Sequence, residues 1–179
     1  MDARTPADET LTPPAGTRPA LERAIGHVRL AVKADAGGHT RIDRAFQEGS
    51  LKVRFPHTDS GRFEAVLLNT AGGLTDGDVF AVDATAPAGT ALTLTTQAAE
   101  KVYRAAGADA RLDVRLALGA DAALAWLPQE TILYDGGRLA RTLTIDMAGS
   151  ARLIACEMLV LGRTAHGETV RAGALCDQW

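Results

Sequence analysis

Residues 66–104 read VLLNTAGGLTDGDVFAVDATAPAGTALTLTTQAAEKVYR, in which two β-prone runs flank a corner and a third run ends in a charged, aromatic cluster. The corner spans residues 69–78 and contains Gly72, Gly73 and Gly77 together with Asp76 and Asp78. Glycine loses the most backbone entropy on ordering, so this density predicts a loop. Apolar runs tether the loop at both ends, and such loops are frequent sites of function.

Glycines at positions 89, 119 and 149 extend this pattern at intervals of thirty residues. Each glycine follows a run of alternating apolar residues, such as Phe80/Val82 or Leu112/Val114, and opens another apolar run. A fixed period of strand, glycine corner and strand is typical of stacked units that bury one another's apolar faces. The sequence therefore predicts an all-β fold, a β-helix-like (solenoidal) stack of short strands with little helix.

Period-two alternation also predicts strands upstream, at residues 28–32, 41–47 and 51–55, and residues 63–68 indicate a strand covered on both faces. Residues 97–106 have a helix-forming composition but are equally compatible with an irregular strand. Residues 1–20 are rich in Pro, Thr and acidic residues and are predicted to form a disordered N-terminal tail. Residues 21–179 then form a single β domain.

Composition excludes several classes of function. A net charge of −3 and a pI near 5.8 argue against nucleic-acid binding, and no apolar run is long enough to span a membrane. The N-terminus lacks the features of a secretory signal, and Cys156 and Cys176 form no Cys-x-x-Cys pair. We therefore expect a reduced, cytoplasmic protein in which Cys156 is a small core residue.

The sequence contains no catalytic constellation. No phosphate-binding loop and no nucleophile signature with histidine is present, so we expect a protein that is not an enzyme. Asp76 and Asp78 form only one imperfect copy of a calcium-repeat motif, and turn-forming aspartates that bond their own backbone explain both.

The carboxylates of interest are Glu130, Asp135 and Glu157. Glu157 interrupts an otherwise apolar run at residues 153–161 and should be buried, which requires a partner. The candidates are an arginine such as Arg163 or Arg104, a water-lined passage, or a metal in transit. Thirty-residue stacking would also align Gln97, Glu130 and Glu157 as a polar row, whose oxygen ligands suit a weakly held divalent ion.

Four blocks in this order resemble the urease accessory protein UreD family, called UreH in some bacteria. They are LLNTAGGLTDGD (67–78), TTQAAEKVYR (95–104), WLPQETILYDGGR (126–138) and CEMLVLGRTAHGE (156–168). The resemblance implies a role in urease maturation, in which the chain assembles with UreF and the GTPase UreG on apo-urease so that nickel is inserted. GTP hydrolysis would belong to UreG, consistent with the missing phosphate loop.

The resemblance further implies a docking platform without a tightly bound cofactor and with an internal route for nickel(II). Compared with the family, the chain ends early, and we expect it to lack the family's C-terminal strands. Carried over by motif, Glu130, Asp135 and Glu157 are the candidate ligands for nickel in transit. The candidate partner-binding residues are Gly72, Gly73, Asp76, Asp78, Lys101, Tyr103, Arg104, Gly162 and Arg163.

Two alternatives remain open at this point. One is a β-helical carbohydrate-active hydrolase that uses Glu130 and Glu157, which requires carboxyl groups about 5 to 9.5 Å apart in an open groove lined by aromatic residues. An aromatic content of 4% disfavours such a groove. The other is an interaction module without metal involvement.

Overall fold

The computed structural model of the chain describes residues 22–57 and 62–179. The predicted tail, residues 1–20, lies outside them. Fourteen strands account for almost all regular structure in the described residues, and Thr164–His166 forms a 3₁₀ turn. The strands are β1 (Ile25–Ala34), β2 (Thr40–Gly49), β3 (Leu51–Arg54), β4 (Phe63–Asn69), β5 (Val79–Ala86), β6 (Ala91–Thr96), β7 (Glu100–Val102), β8 (Ala110–Leu118), β9 (Ala123–Leu127), β10 (Thr131–Leu133), β11 (Arg138–Met147), β12 (Arg152–Ala155), β13 (Leu159–Leu161) and β14 (Ala174–Gln178).

The strands form three sheets that wrap around one core. Sheet A has the order β14-β11-β8-β5-β1-β2, sheet B has the order β12-β9-β6-β4-β3, and sheet C has the order β13-β10-β7. From β5 to β13 each coil contributes one strand to each sheet, and the pairing between coils is parallel. Only the β1–β2 and β3–β4 pairs are antiparallel. The predicted solenoidal, all-β fold is confirmed.

Alternation along each strand builds the core. In sheet A the register aligns Val28, Val82, Val114 and Leu143 in one inward-facing column, and all four side chains are buried. Columns of this kind let each coil bury the apolar face of the next, which is the source of stability in solenoids. The second column, in sheet B, contains Ala65, Leu94, Trp126 and Ala155.

Glycine corners join sheet A to sheet B at the predicted thirty-residue spacing. Gly119 follows β8, and its amide donates to the carbonyl of Ala86 in the preceding coil at 2.8 Å. A Cβ at Gly119 would lie 2.6 Å from the amide nitrogen of Ala88. A side chain at this position would therefore push neighbouring coils apart.

The structure settles one open point of the sequence interpretation and corrects two details. Residues 97–106, which are compatible with a helix or an irregular strand, contain β7, whereas β4 is half-buried rather than covered on both faces. Cys156 is exposed, because it alternates with the inward-facing Glu157 and therefore points outward. Cys176 is exposed as well.

Within residues 22–57 and 62–179, no helix has the length and apolar character needed to cross a membrane.

Candidate functional site

The four sequence blocks converge on one side of the solenoid, which we call the sheet C side. The amide of Leu74 donates to the carbonyl of Lys101 at 2.7 Å, and the amide of Tyr103 donates back to Leu74 at 2.8 Å. The next steps of the ladder are Tyr134 N–H to Val102 O at 3.0 Å and Gly162 N–H to Leu133 O at 2.8 Å. Segments distant in sequence therefore form consecutive rungs of one ladder. The side of the ladder that faces solvent is called the outward surface, and the side that faces the core is called the inward surface.

The glycine corner is packed onto the second block. Gly73 has φ of +151°, and a Cβ there would lie 2.3 Å from Cε2 of Tyr103. The Tyr103 hydroxyl donates to the carbonyl of Gly72 at 3.1 Å. Thr75 Oγ1 also donates to the carbonyl of Arg104 at 3.1 Å. The two groups of predicted partner-binding residues thus form one surface.

Asp76 and Asp78 hold this corner in place. The buried Asp78 accepts hydrogen bonds from the amides of Ala24 and Thr75, each at 2.8 Å. Asp76 accepts from the amides of Ala106 and Ala108. Asp78 bonds to the amide of Thr75 in its own turn, as predicted, whereas Asp76 bonds to a segment about thirty residues away rather than to its own turn.

The outward surface of the sheet C side is a stack of aromatic rings and a guanidinium group. Tyr103 and Tyr134 pack edge to face with ring centroids 5.1 Å apart, and the guanidinium of Arg163 lies 4.5 Å from the Tyr134 centroid. Arg163 also donates to Glu168, with Nε–Oε2 at 3.0 Å. This hydrogen bond raises the pKa of Arg163 and lowers the pKa of Glu168. The aromatic rings are therefore held in fixed orientations.

Asp135 also belongs to the outward surface. Its Oδ1 accepts from the amides of Arg171 at 2.8 Å and Ala172 at 3.1 Å, and its Oδ2 accepts from Arg104 at 2.6 Å. The two amide hydrogen bonds are the main reason that the pKa of Asp135 lies below its usual value. Asp135 and Glu168 line a depression of about 460 Å³ together with Tyr103, Arg104, Tyr134, Arg163, Thr169 and Arg171.

The inward surface contains a buried ionic network. Glu157 is 6% exposed and accepts from Trp126 Nε1 at 2.6 Å and from the guanidinium of Arg141, which is 3% exposed. Arg141 also pairs with Asp177 and donates to Thr131 Oγ1 at 3.3 Å. Burial raises the pKa of Glu157, while Trp126 and Arg141 oppose that shift.

Glu157 is buried and paired, as predicted, and of the partners left open it is an arginine that pairs with it, although neither Arg163 nor Arg104. Arg104 and Arg163 both point to the outward surface. The partner is Arg141, which occupies an inward position of β11 between Leu139 and Leu143. The alternation of β11 was a sequence signal for Arg141, because a charged residue in an inward register needs a buried partner.

Glu100 is a second inward carboxylate that the sequence interpretation missed. It lies in β7, where Asn69 Nδ2 donates to its Oε1 at 2.9 Å. Burial is the largest cause that raises the pKa of Glu100 to about 7, and the hydrogen bond from Asn69 partly opposes it. Because the sequence leaves a helix and an irregular strand equally open for residues 97–106, it does not indicate the inward direction of Glu100.

A cavity of about 160 Å³ is lined by both of these carboxylates and by residues from four successive coils. Its polar lining includes Asn69, Glu100, Gln129, Thr131, Arg141 and Glu157.

The three carboxylates predicted for nickel do not meet at one point. Asp135 lies on the outward surface and Glu157 on the inward surface. The pairing of Thr131 with Glu100 and Leu159 places Glu130 beside Ala99 and Met158, so the expected row of Gln97, Glu130 and Glu157 is wrong. In the described part of the chain no group of three His, Cys, Asp or Glu side chains is arranged to hold a metal.

The geometry also argues against the hydrolase. Both oxygens of Glu157 are engaged inside the fold, by Trp126 and Arg141, and the side chain does not line an open groove. A glycosidase needs its second carboxylate free to reach a sugar.

Comparisons with known proteins agree with the four blocks. The sequence profile of the family described as UreD urease accessory protein matches residues 24–179. A urease accessory protein UreD from Rhodopseudomonas palustris (strain BisB18) is 51% identical over 160 residues, which are 89% of this chain and 57% of that protein. UreD proteins from Azorhizobium caulinodans and from Methylobacterium sp. (strain 4-46) are 47% and 48% identical, over 90% and 93% of this chain and 59% of each relative. The chain thus spans less than three-fifths of the length of these curated relatives.

Proposed function

Because this chain belongs to the UreD family of urease accessory proteins, we propose that it acts in the cytoplasm in urease maturation. In this role it docks on apo-urease with UreF and the GTPase UreG and assists GTP-dependent insertion of nickel. The carrying observation is the ladder of four blocks, which gives one side of the solenoid both an outward contact surface and a polar inward surface.

Docking is assigned to the outward surface. Tyrosine and arginine are enriched among the residues that dominate binding energy, and rigid side chains lose little entropy when they bind. Tyr103, Tyr134 and Arg163 meet both conditions, since they are partly exposed and hold one another in place. The glycine corner supports this surface from below through Gly73.

Passage of nickel is assigned to the internal cavity. Glu100 and Glu157 supply carboxylate oxygens at its wall, and Asn69, Gln129 and Thr131 supply neutral oxygens. Oxygen ligands hold a divalent ion weakly compared with thiolate or imidazole sets, as an ion in transit requires. Arg141 occupies Glu157 through an ion pair, so this carboxylate would accept nickel only when the guanidinium moves away.

GTP hydrolysis is assigned to UreG. The chain has no Gly-x-x-x-x-Gly-Lys-Ser/Thr sequence with which to hold a nucleotide phosphate. Its contribution is therefore to binding and transfer rather than to bond cleavage.

The experiment compares urease made in cells with this chain and in cells in which the chain is deleted. We expect a low nickel content and low activity in urease from the deletion cells, and restoration of both by the chain supplied in trans. Equal nickel content in the two ureases would refute the proposal. If the chain supplied in trans co-purifies with the partners but urease still lacks nickel, the chain is a metal-independent interaction module.

A further inference from the structure

The outward surface carries an excess of positive charge on an acidic protein. Its depression is lined by three arginines, Arg104, Arg163 and Arg171, and by two carboxylates, Asp135 and Glu168, whereas the whole chain has a net charge of −3. Lys101 lies two residues before Tyr103 and is exposed, so it extends the same face. A local field of this sign attracts anionic groups despite the opposite net charge.

The two carboxylates do not neutralise this surface. Asp135 is engaged by two backbone amides and Arg104, and Glu168 is engaged by the amide and guanidinium of Arg163. The charged groups of Lys101 and Arg171 make no ion pair with any residue that the structure describes. Two cations therefore remain available to a ligand.

The shape of the surface favours an extended ligand with carboxylate groups. The depression of about 460 Å³ spans three successive rungs, because Tyr103, Tyr134 and Arg163 line it. Arginine forms directional paired hydrogen bonds with carboxylates, and the tyrosine rings offer apolar contact between them. Nucleic acid is less suited, since it needs a longer cationic track to release phosphate counterions.

We infer that the outward surface of the sheet C side binds an extended acidic segment of a protein partner, whose carboxylates pair with Lys101 and Arg171 while its backbone lies against Tyr103 and Tyr134. This inference rests on the proposed docking role and names the chemistry of the partner that the surface takes. Complementary charge at such a surface determines partner choice and association rate.

The test uses the full chain and a fluorescein-labelled peptide of eight alternating Glu and Ala residues, with binding followed by fluorescence anisotropy at low and physiological salt. The variant Lys101→Glu/Arg171→Glu should weaken binding at least about tenfold, which corresponds to about 1.4 kcal/mol. The matched control is Lys52→Glu/Arg152→Glu, which makes the same charge change on sheet B and should alter the affinity less than about twofold.

Each result decides the question. Equal weakening by the two variants would mean that net charge rather than this surface controls binding, and the inference would fall. A single-stranded oligonucleotide that binds as tightly as the peptide at equal charge would also overturn it. If the charge-reversed protein loses its far-ultraviolet β spectrum, Lys101→Gln/Arg171→Gln replaces it and should weaken binding about threefold to tenfold.

The peptide result is independent of the proposed function. If the nickel content of urease is the same with and without the chain, the maturation role is refuted, but the peptide-binding result is unaffected. Conversely, the wild-type chain could promote nickel insertion and yet bind the peptide no more tightly than its charge-reversed variant does. That result would support the proposed function and refute this inference.

Discussion

Replacement of Arg141 by methionine tests the buried network directly. The guanidinium is 3% exposed and neutralises Glu157, which is 6% exposed. Removing one member of a buried pair leaves an uncompensated charge and costs about 3–5 kcal/mol. Methionine fills most of the same space, so the loss reports charge rather than a cavity. We expect this loss of unfolding free energy at pH 8, measured by urea denaturation and Trp126 fluorescence.

The pH dependence of this loss has a defined sign. Burial already raises the pKa of Glu157, and loss of the arginine removes a favourable interaction with its ionised form, so the pKa rises further. A raised carboxyl pKa stabilises the fold at low pH and destabilises it as the pH rises through the folded-state value. The deficit of Arg141→Met should therefore shrink by about 1–2 kcal/mol between pH 8 and pH 5.

A double variant separates charge from shape. Glu157→Gln keeps an acceptor for Trp126 Nε1 but carries no charge, so Arg141→Met/Glu157→Gln should recover at least about half of the lost stability at pH 8. A cost of Arg141→Met below about 1 kcal/mol, an equal cost at both pH values, or no recovery on adding Glu157→Gln would show that the buried ion pair does not control stability.

Three other changes test separate parts of the fold. The unfolding free energy of Glu100→Gln should rise by about 2 kcal/mol relative to that of the wild type between pH 5 and pH 8. The pKa of Glu100 is raised to about 7, so ionisation of this group as the pH increases destabilises only the wild type. Parallel curves of stability against pH would contradict this. Gly73→Ala should lower the unfolding free energy by at least about 2 kcal/mol, measured by thermal or urea unfolding. Gly72→Ala, whose Cβ would have nothing within 4 Å, should lower it by about 1 kcal/mol. Equal losses would show that crowding by the Tyr103 ring is unimportant. Both cysteines should react with a thiol reagent in native buffer within minutes, as exposed thiols do; one protected thiol would place that cysteine in the core.

The sequence predicted the fold because its strongest signal is local and repeated. Alternation at Val82 or Val114 sets which side chains face inward, and a glycine every thirty residues sets where the chain turns. Both signals survive without knowledge of tertiary contacts. The third strand of each coil, such as β7 or β10, has only three residues, too few for alternation to be visible.

The candidate site was predicted in part. The four blocks contain Tyr103, Tyr134 and Arg163, but only Tyr103 and Arg163 are predicted as site residues, and the structure places all three on one surface. The ladder that joins them depends on the register between coils, a long-range property. The same reason explains the misaligned Glu130, since the coils differ slightly in length and a thirty-residue shift does not match the pairing of Thr131 with Glu100.

Glu157 shows how far a single residue can be interpreted. Its apolar neighbours predicted burial, and the cost of burying a charge predicted a cation nearby. Which cation fulfils this role follows from the inward position of Arg141 on sheet A, across the core from the sheet B–sheet C corner. Cys156 failed the same kind of reasoning because burial was argued from residue type rather than from its position next to an inward-facing residue.

The proposed function requires that nickel pass to urease through the polar interior of this chain. The most direct test measures the initial rate of nickel incorporation into purified apo-urease, supplied with UreF, UreG, GTP and either wild-type chain or the folded variant Glu100→Gln/Glu157→Gln. We expect rapid incorporation with the wild-type chain, and a rate at least about tenfold lower with a variant that still co-purifies with its partners. Equal rates with both chains, or with no chain at all, would contradict it.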